Sequence, residues 1–479
     1  MTDYSHDIIV VGGGTAGLVT AAGAAALGAK AVLVERDALG GDCLWTGCVP
    51  SKALIAYARR QGDWGRGTGG GSPHAPSPVP RPSSPWPDAV SWMRSARDRV
   101  ARHDDPERFR AMGVDVLLSP ARLAGPERVE VDGRTLRAKR IVLALGSVPA
   151  APPVPGLAEA GFLTHVTALD QPALPPRIAM LGGGPVGLEF AQTYARLGAQ
   201  VTVLELLPEL LPREDPEVGR YVREQLGREG ITALTGFRAT RVAREGQEKA
   251  IHGADGRRIA VDEIFVAAGR TPNTRDAEPG RAGVELDQGA VRVNDRLATT
   301  APGIWAAGDV TGGLQFTHVA DYMAKVVVRN ALTPFPMTVD YRVVPWVTFT
   351  DPEVARVGMT VEEAAAAGER PQVFRSDFAE LDRAIVEGES ATAGFCKVVT
   401  RPNGRILGAT IVGRGAGELI MEFVLAMRLG LPLPRLARFI HPYPTMSEIV
   451  SRTAAAWYRQ KYTGTRAARL VQRLVRWWL

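Results

Sequence analysis

Residues 6–37 read HDIIVVGGGTAGLVTAAGAAALGAKAVLVERD. The unbroken apolar run Ile8–Val11 has the pattern of a strand buried on both faces of a parallel sheet. Gly12, Gly14 and Gly17 follow as G-x-G-x-x-G, then a small-residue helix, then a second apolar strand, Ala31–Val34, that ends at Glu35. Gly12 makes the tight turn, Gly14 lets a pyrophosphate approach the backbone, and Gly17 lets the helix pack on the strand. The helix N-terminus faces the phosphate charge. Glu35 stands where a carboxylate binds ribose hydroxyls.

The pattern recurs in RIAMLGGGPVGLEFAQTYARLGAQVTVLELL, residues 177–207. Here Ile178–Leu181 is the strand, Gly182, Gly184 and Gly187 form the turn, and Glu205 closes the next strand. First glycine and acid are 23 residues apart in both copies. A lone G-x-G-x-x-G is weak evidence and reads equally as a glycine-rich turn. Strand, turn, helix, strand and acid, all in order and twice over, predict two dinucleotide sites in one chain. Two such sites suggest electron transfer between FAD and a nicotinamide cofactor. Glu205 would bind a free ribose and repel a 2'-phosphate, which favours NAD. NADP stays possible because Arg213 and Arg270 would offset that charge.

The chain has 479 residues, is 45% hydrophobic and 23% charged, and carries a formal charge of +6. That length allows several domains with their own cores. The arginines are scattered, with no dense basic block and interleaved aromatics, so nucleic acid is not an expected partner. No apolar run reaches a membrane span, and no signal peptide is expected ahead of the first strand. The expected location is cytoplasmic. In that reducing setting a close cysteine pair is more often catalytic or metal-binding than structural.

The chain has three cysteines, and two of them, Cys43 and Cys48, share the stretch GGDCLWTGCVPSKALI, residues 40–55. Pro50 suits the first turn of a helix that begins near Cys48. That places Cys48 at a helix N-terminus, which favours thiolate. Lys52, one turn on, adds a full positive charge. Inert cysteines and metal ligation are the competing readings. No further His or Cys stands nearby at ligand spacing, so no metal site is expected. A redox-active dithiol accounts for helix, lysine and spacing together. Cys396 has no thiol neighbour and reads as core filler.

GGDCLWTGCVPSKALI resembles the signature of the class I pyridine nucleotide–disulfide oxidoreductases, which include dihydrolipoamide dehydrogenase, glutathione reductase and mercuric reductase. IFVAAGRTPNT (264–274), IWAAGDV (304–310) and HPYPTMSE (441–448) extend the resemblance over nearly the whole chain, in the family's order. The resemblance implies an enzyme in which Cys48 lies against the flavin and Cys43 meets the acceptor, the two forming a redox-active disulfide. It implies that Lys52 sits near the flavin's reactive edge, paired with Glu189. Gly41, Asp42 and Asp309 would join the FAD site, Asp309 at the ribityl chain. Thr317 and His318 would open a helix aimed at the flavin's pyrimidine edge. Gly269 and Arg270 would lie near the nicotinamide cofactor.

The C-terminal motif departs from most relatives. Dihydrolipoamide dehydrogenases and glutathione reductases carry a catalytic histidine before Pro-Thr. Here Pro444 and Thr445 follow Tyr443, Glu448 holds the acid position, and His441 is displaced by two. A phenol is a poor base at neutral pH. Tyrosine at this place resembles mercuric reductase, yet neither a terminal vicinal cysteine pair nor an N-terminal metal-trafficking domain is expected. The function expected is therefore mercuric reductase-like, with a small-molecule, disulfide or metal-ion acceptor left unassigned. The alternatives are a dihydrolipoamide dehydrogenase-type disulfide reductase and a slow-turnover flavin redox sensor.

The expected fold is α/β: two Rossmann-like dinucleotide-binding domains and a C-terminal α+β dimerisation domain. The FAD domain takes residues 1–150 and 275–339, the NAD(P) domain 151–274, and the interface domain 340–463 builds a homodimer. Residues 62–87, rich in Gly, Ser and Pro, read as a flexible insertion. Residues 464–479, GTRAARLVQRLVRWWL, read as a basic amphipathic tail helix that either contacts a membrane surface or packs on protein.

Overall fold

The computed structural model describes residues 4–65, 85–388, 394–462 and 466–479. Most of the expected insertion, 66–84, lies outside the described residues. Its edges are helical rather than loop: the helices Cys48–Gly65 and Trp86–Ala101 run into it from either side. The chain divides into two compact units, one of residues 1–182, 193–204 and 237–340, the other of 183–192, 205–236 and 341–479.

In the first unit, five strands form a sheet in the order Ile304–Ala306, Arg140–Leu143, Ile8–Val11, Ala31–Glu35, Val114–Leu118. All neighbours are parallel. Ile8–Val11 is buried along its whole length, as its apolar run requires. The helix Thr15–Ala26 packs close to the helix Thr317–Leu332 because its residues are small: a Cβ on Gly23 would lie 3.0 Å from Val328. Three antiparallel strands, Ala121–Gly125, Arg128–Val131 and Arg134–Arg137, cover one side of the sheet. Leu123, Val129 and Val131 pack there against Ile9, Val32, Ile141 and Leu143, each such side chain worth about 2 kcal/mol on full burial.

The second fingerprint builds the same arrangement. Arg177–Leu181 lies between Gln200–Leu204 and Glu263–Val266, parallel to both. Again a three-stranded antiparallel set precedes the last strand: Ala239–Glu245, Glu248–Gly253 and Arg258–Val261.

The second unit holds an antiparallel sheet in the order Pro345–Thr348, Glu353–Gly358, Ile406–Gly413, Phe395–Thr400, Gln372–Asp377. The helices Met421–Arg428 and Glu448–Tyr462 complete its core with Phe423, Ile449 and Trp457. Cys396 is fully buried in that core. Burial pushes its thiol up to about 12, so it stays protonated and inert. The terminal helix runs Arg466–Trp478. Ala468 is buried, and every residue from Arg469 to Leu479 is exposed.

Candidate active site

The glycines of the first turn differ in what surrounds them. A Cβ on Gly12 would lie 2.2 Å from the Ala144 carbonyl oxygen, and one on Gly17 would lie 1.7 Å from that of Gly12. Gly12 also has φ +107°, closed to most side chains. A Cβ on Gly14 would meet nothing nearer than Gly41 Cα at 3.9 Å. Gly14 therefore fronts the open side of the cradle, where a pyrophosphate needs backbone approach. In the second copy a Cβ on Gly182 would strike the Ala267 carbonyl oxygen at 2.5 Å, while one on Gly184 would meet nothing within 4 Å. Gly187 is buried. Both turns fit a dinucleotide.

Both strand-end acids fasten their own turns. Glu35 accepts from the Gly13 N–H at 2.6 Å and the Asp37 N–H at 2.9 Å. Glu205 accepts from Gly183 at 2.6 Å and Leu207 at 2.7 Å. Each oxygen keeps a lone pair for a ribose hydroxyl.

The thiol motif is stitched to the first turn. The Gly40 N–H donates to the Gly13 carbonyl at 2.8 Å. A Cβ on Gly41 would fall 2.7 Å from Gly14 Cα, and Gly41 itself has φ +59°. A short helix, Gly41–Trp45, then carries Asp42 and Cys43, and a second helix starts at Cys48 with Pro50 in its first turn.

Cys43 and Cys48 are both free thiols here, and Cys48 is exposed. Its Sγ lies 3.4 Å from Thr317 Oγ1, at the N-terminus of the helix Thr317–Leu332. The two thiols divide one proton unequally. A hydrogen bond from Cys43, supported by Thr317 and the Lys52 charge, lowers Cys48 to about 6 against the opposing effect of partial desolvation by its neighbours. The same bond, with burial, pushes Cys43 well above the ordinary thiol range. The bond thus favours negative charge on Cys48, with the shared proton kept on Cys43. His318 stacks on Phe316, ring centroids 5.4 Å apart.

Beside the thiols lies a polar network that the sequence reading did not anticipate. Arg270 donates to Asp42 at 2.8 Å and to Ser147 Oγ at 2.7 Å, and Ser147 donates to Asp309 at 2.6 Å. His165 Nε2 is 3.0 Å from the other Asp42 oxygen. Burial alone would raise the Asp42 carboxyl, but the His165 hydrogen bond and the Arg270 charge outweigh it, and Thr46 adds to them; the net result holds the group well below the carboxylate range. Asp42, Arg270 and Asp309, expected at two different cofactors, thus share one network. His165 and Ser147 carried no motif signal. Gly269, in the left-handed region at φ +127°, accepts from the Ala150 N–H.

The remaining expected residues lie in the second unit. Glu189 accepts from the Phe349 N–H at 2.8 Å. His441 Nε2 faces Glu422 at 3.1 Å. Tyr443 is 70% exposed, and its hydroxyl donates to Asp382 at 2.7 Å. That bond, foremost among the causes, pushes the phenol further up. Glu448 opens its helix and accepts from the Thr445 N–H at 3.4 Å.

Residues 6–324 match the family model described as pyridine nucleotide-disulphide oxidoreductase, and residues 344–454 match its dimerisation domain. The chain belongs to the pyridine nucleotide-disulphide oxidoreductase family. As a member it is an enzyme that uses FAD and NAD(P)H, with the two dinucleotide folds expected, and the dimerisation domain makes it a homodimer. It is 35% identical to dihydrolipoyl dehydrogenase of Thermus scotoductus over 468 residues, 95% of this chain and 98% of that one. It is 33% identical to mercuric reductase of Bacillus cereus over 456 residues, 93% of this chain and 70% of that one. Among solved structures it resembles the Cu(II) complex of HOCl-induced flavoprotein disulfide reductase RclA from Escherichia coli. There the TM-score is 0.84 at 28% identity, covering 95% of this chain and all of that one.

Proposed function

We propose that this enzyme reduces a thiophilic metal ion, of the Hg(II) or Cu(II) kind, with Cys43 and Cys48 as the thiols that meet it. The observation that carries this reading is the state of the two acid–base partners a disulfide acceptor would need. Attack on a disulfide requires a thiolate at Cys43, yet the Cys43 S–H is engaged on Cys48, and that bond and burial push the Cys43 thiol up. The residue at the family's base position, Tyr443, is itself a donor to Asp382. A soft metal ion needs no such base, because ligation expels the thiol proton directly. The mercuric reductase relatives and the RclA copper complex support the same acceptor class.

The flavin, when bound, supplies the two-electron passage between nicotinamide and the cysteine pair. Gly12, Gly14, Gly17 and Glu35 would hold its dinucleotide end, with Gly41 closing against Gly14. Asp309 and Ser147 would meet the ribityl hydroxyls, and Asp42 and Arg270 would keep that wall in place. Thr317, His318 and the helix they open would favour negative charge on Cys48 and on the ring beside it. Lys52 adds a full charge to the same effect. Gly182, Gly184, Gly187 and Glu205 would hold the nicotinamide nucleotide. NADH is the preferred donor, because no arginine or lysine follows Glu205 before Arg213. Cytoplasmic residence is part of the proposal, since a reducing compartment keeps the cysteine pair cycling. The expected lipid contact of residues 464–479 rests on the terminal helix alone and is separate from this chemistry.

The deciding experiment is a steady-state screen of Hg(II), Cu(II), lipoamide, oxidised glutathione and quinones, each with NADH and NADPH, on wild type and Cys43→Ala. Metal-dependent NADH oxidation that the variant lacks is expected. Faster turnover with lipoamide than with either metal would overturn the assignment in favour of dihydrolipoyl dehydrogenase chemistry. Slow reoxidation by every acceptor would make the protein a redox sensor.

A further inference from the structure

We propose that the helix Arg466–Trp478 is a docking element for an anionic lipid surface, lying in the interface plane. The proposal goes beyond the redox chemistry and is independent of it. The matches to the family models end at residue 454, so this helix is outside the family's common fold.

Its two sides are cleanly separated. Leu470, Val471, Leu474, Val475 and Trp478 follow one another at helical spacing on one side, and Arg469, Arg473 and Arg476 occupy the other. The apolar side is turned to solvent: Leu470 is 59% exposed, Leu474 55%, Trp477 81% and Trp478 82%. An apolar strip of this kind on a soluble surface marks a contact site.

Charge selects the occupant. From Ile449 to Leu479 the chain carries seven arginines and lysines and no aspartate or glutamate. A second copy packed apolar side to apolar side would leave both arginine rows without a counter-charge, whereas an anionic headgroup layer supplies the opposite sign. The two adjacent tryptophans suit the same boundary, since indole is at home between hydrocarbon and water. Thirteen residues make a helix about 20 Å long, short of the roughly 30 Å hydrocarbon layer. Among the described residues no helix is long and apolar enough to cross a membrane. The helix therefore lies on the surface, apolar side down, with the arginines reaching sideways to headgroups.

The test is sedimentation of the full-length, flavin-loaded enzyme with sucrose-filled vesicles of phosphatidylcholine, with and without about one-third phosphatidylserine. Binding to the anionic vesicles alone is expected, weakened by high salt. Each arginine near the surface contributes about fivefold in partitioning. Arg473→Gln/Arg476→Gln should therefore lower binding about 25-fold, with flavin content and NADH oxidation unchanged. Trp477→Ala/Trp478→Ala should also reduce binding, and in the wild type the tryptophan emission should shift to the blue on vesicle addition. Equal binding to both vesicle types, or binding that both variants retain, overturns the proposal. So does a wild type that ignores vesicles. A change of oligomeric state on Leu474→Glu without vesicle binding in the wild type would assign the face to a second copy instead.

Discussion

Replacing Cys43 with alanine removes the S–H that donates to the Cys48 sulfur, the largest influence holding Cys48 down at about 6. Thr317 and Lys52 remain, so the Cys48 titration should rise by about one unit or more, toward the ordinary thiol near ~8.5. At pH 7 the thiolate fraction would fall from about nine-tenths to about half or less. Alkylation rate at a single pH is a poor gauge, because a more basic thiolate is also intrinsically more nucleophilic, with a Brønsted slope of about 0.4–0.5. The midpoint of the pH profile is free of that compensation. The assay is iodoacetamide labelling of the reduced enzyme across the acid-to-neutral range, with the Cys48 peptide followed by mass spectrometry. In the wild type, labelling should collapse as pH falls through about 6, since protonation removes the nucleophile. A variant midpoint still near 6, together with a rise in Thr317→Val, would refute the reasoning by giving the stabilising role to the hydroxyl.

Further expectations follow from the same geometry. Gly14→Ala should fold yet retain little FAD, whereas Gly12→Ala should compromise folding itself, because its Cβ strikes the Ala144 carbonyl at a positive φ; flavin content and circular dichroism separate the two. Asp42→Asn should lower stability to urea by about 1 kcal/mol at neutral pH, a figure reduced for the partial exposure of the Asp42–Arg270 pair. Because the folded-state carboxyl is held low, that contribution is present above the unfolded carboxylate range near ~4 and is lost as pH falls below it, so the variant and wild-type curves should converge in acid. Glu205→Ala should raise KM for NADH several-fold with little change in kcat, since the carboxylate fastens the Gly183 turn. Cys396→Ala should cost about 1–2 kcal/mol of stability and leave turnover intact, because it only opens a small cavity in the core.

The nucleotide folds were legible because their constraints are local. A buried parallel strand announces itself by an apolar run, and the turn after it tolerates only glycine where the Ala144 and Ala267 carbonyls press close. The helix at Cys48 was legible for the same reason, through Pro50. The antiparallel sets that come before Arg140–Leu143 in the first nucleotide fold and before Glu263–Val266 in the second were not read. Strands such as Arg128–Val131 and Arg134–Arg137 are short and half exposed, and their arginines mask the alternation. The Asp42–Arg270–Ser147–Asp309 network escaped as well. Its members come from four separated segments, and only the folded sheet brings them together. Asp42 and Arg270 could be named from their motifs, but their mutual ion pair is a long-range fact. His165, in an unremarkable loop, had no pattern to betray it. At the C-terminus the sequence already showed a phenol where dihydrolipoamide dehydrogenases and glutathione reductases keep an imidazole, and the Asp382 bond, in which that phenol is the donor, pushes it further up.

Gly40 bonded to Gly13, and Gly41 lodged against Gly14, make the sulfur-bearing loop and the phosphate turn a single mechanical piece. Their histories are therefore joined: neither can be shortened, lengthened or transplanted from a cousin protein alone. A chimera that swaps one and keeps the other would misplace both the prosthetic group and the thiols, so the two must be exchanged as one block.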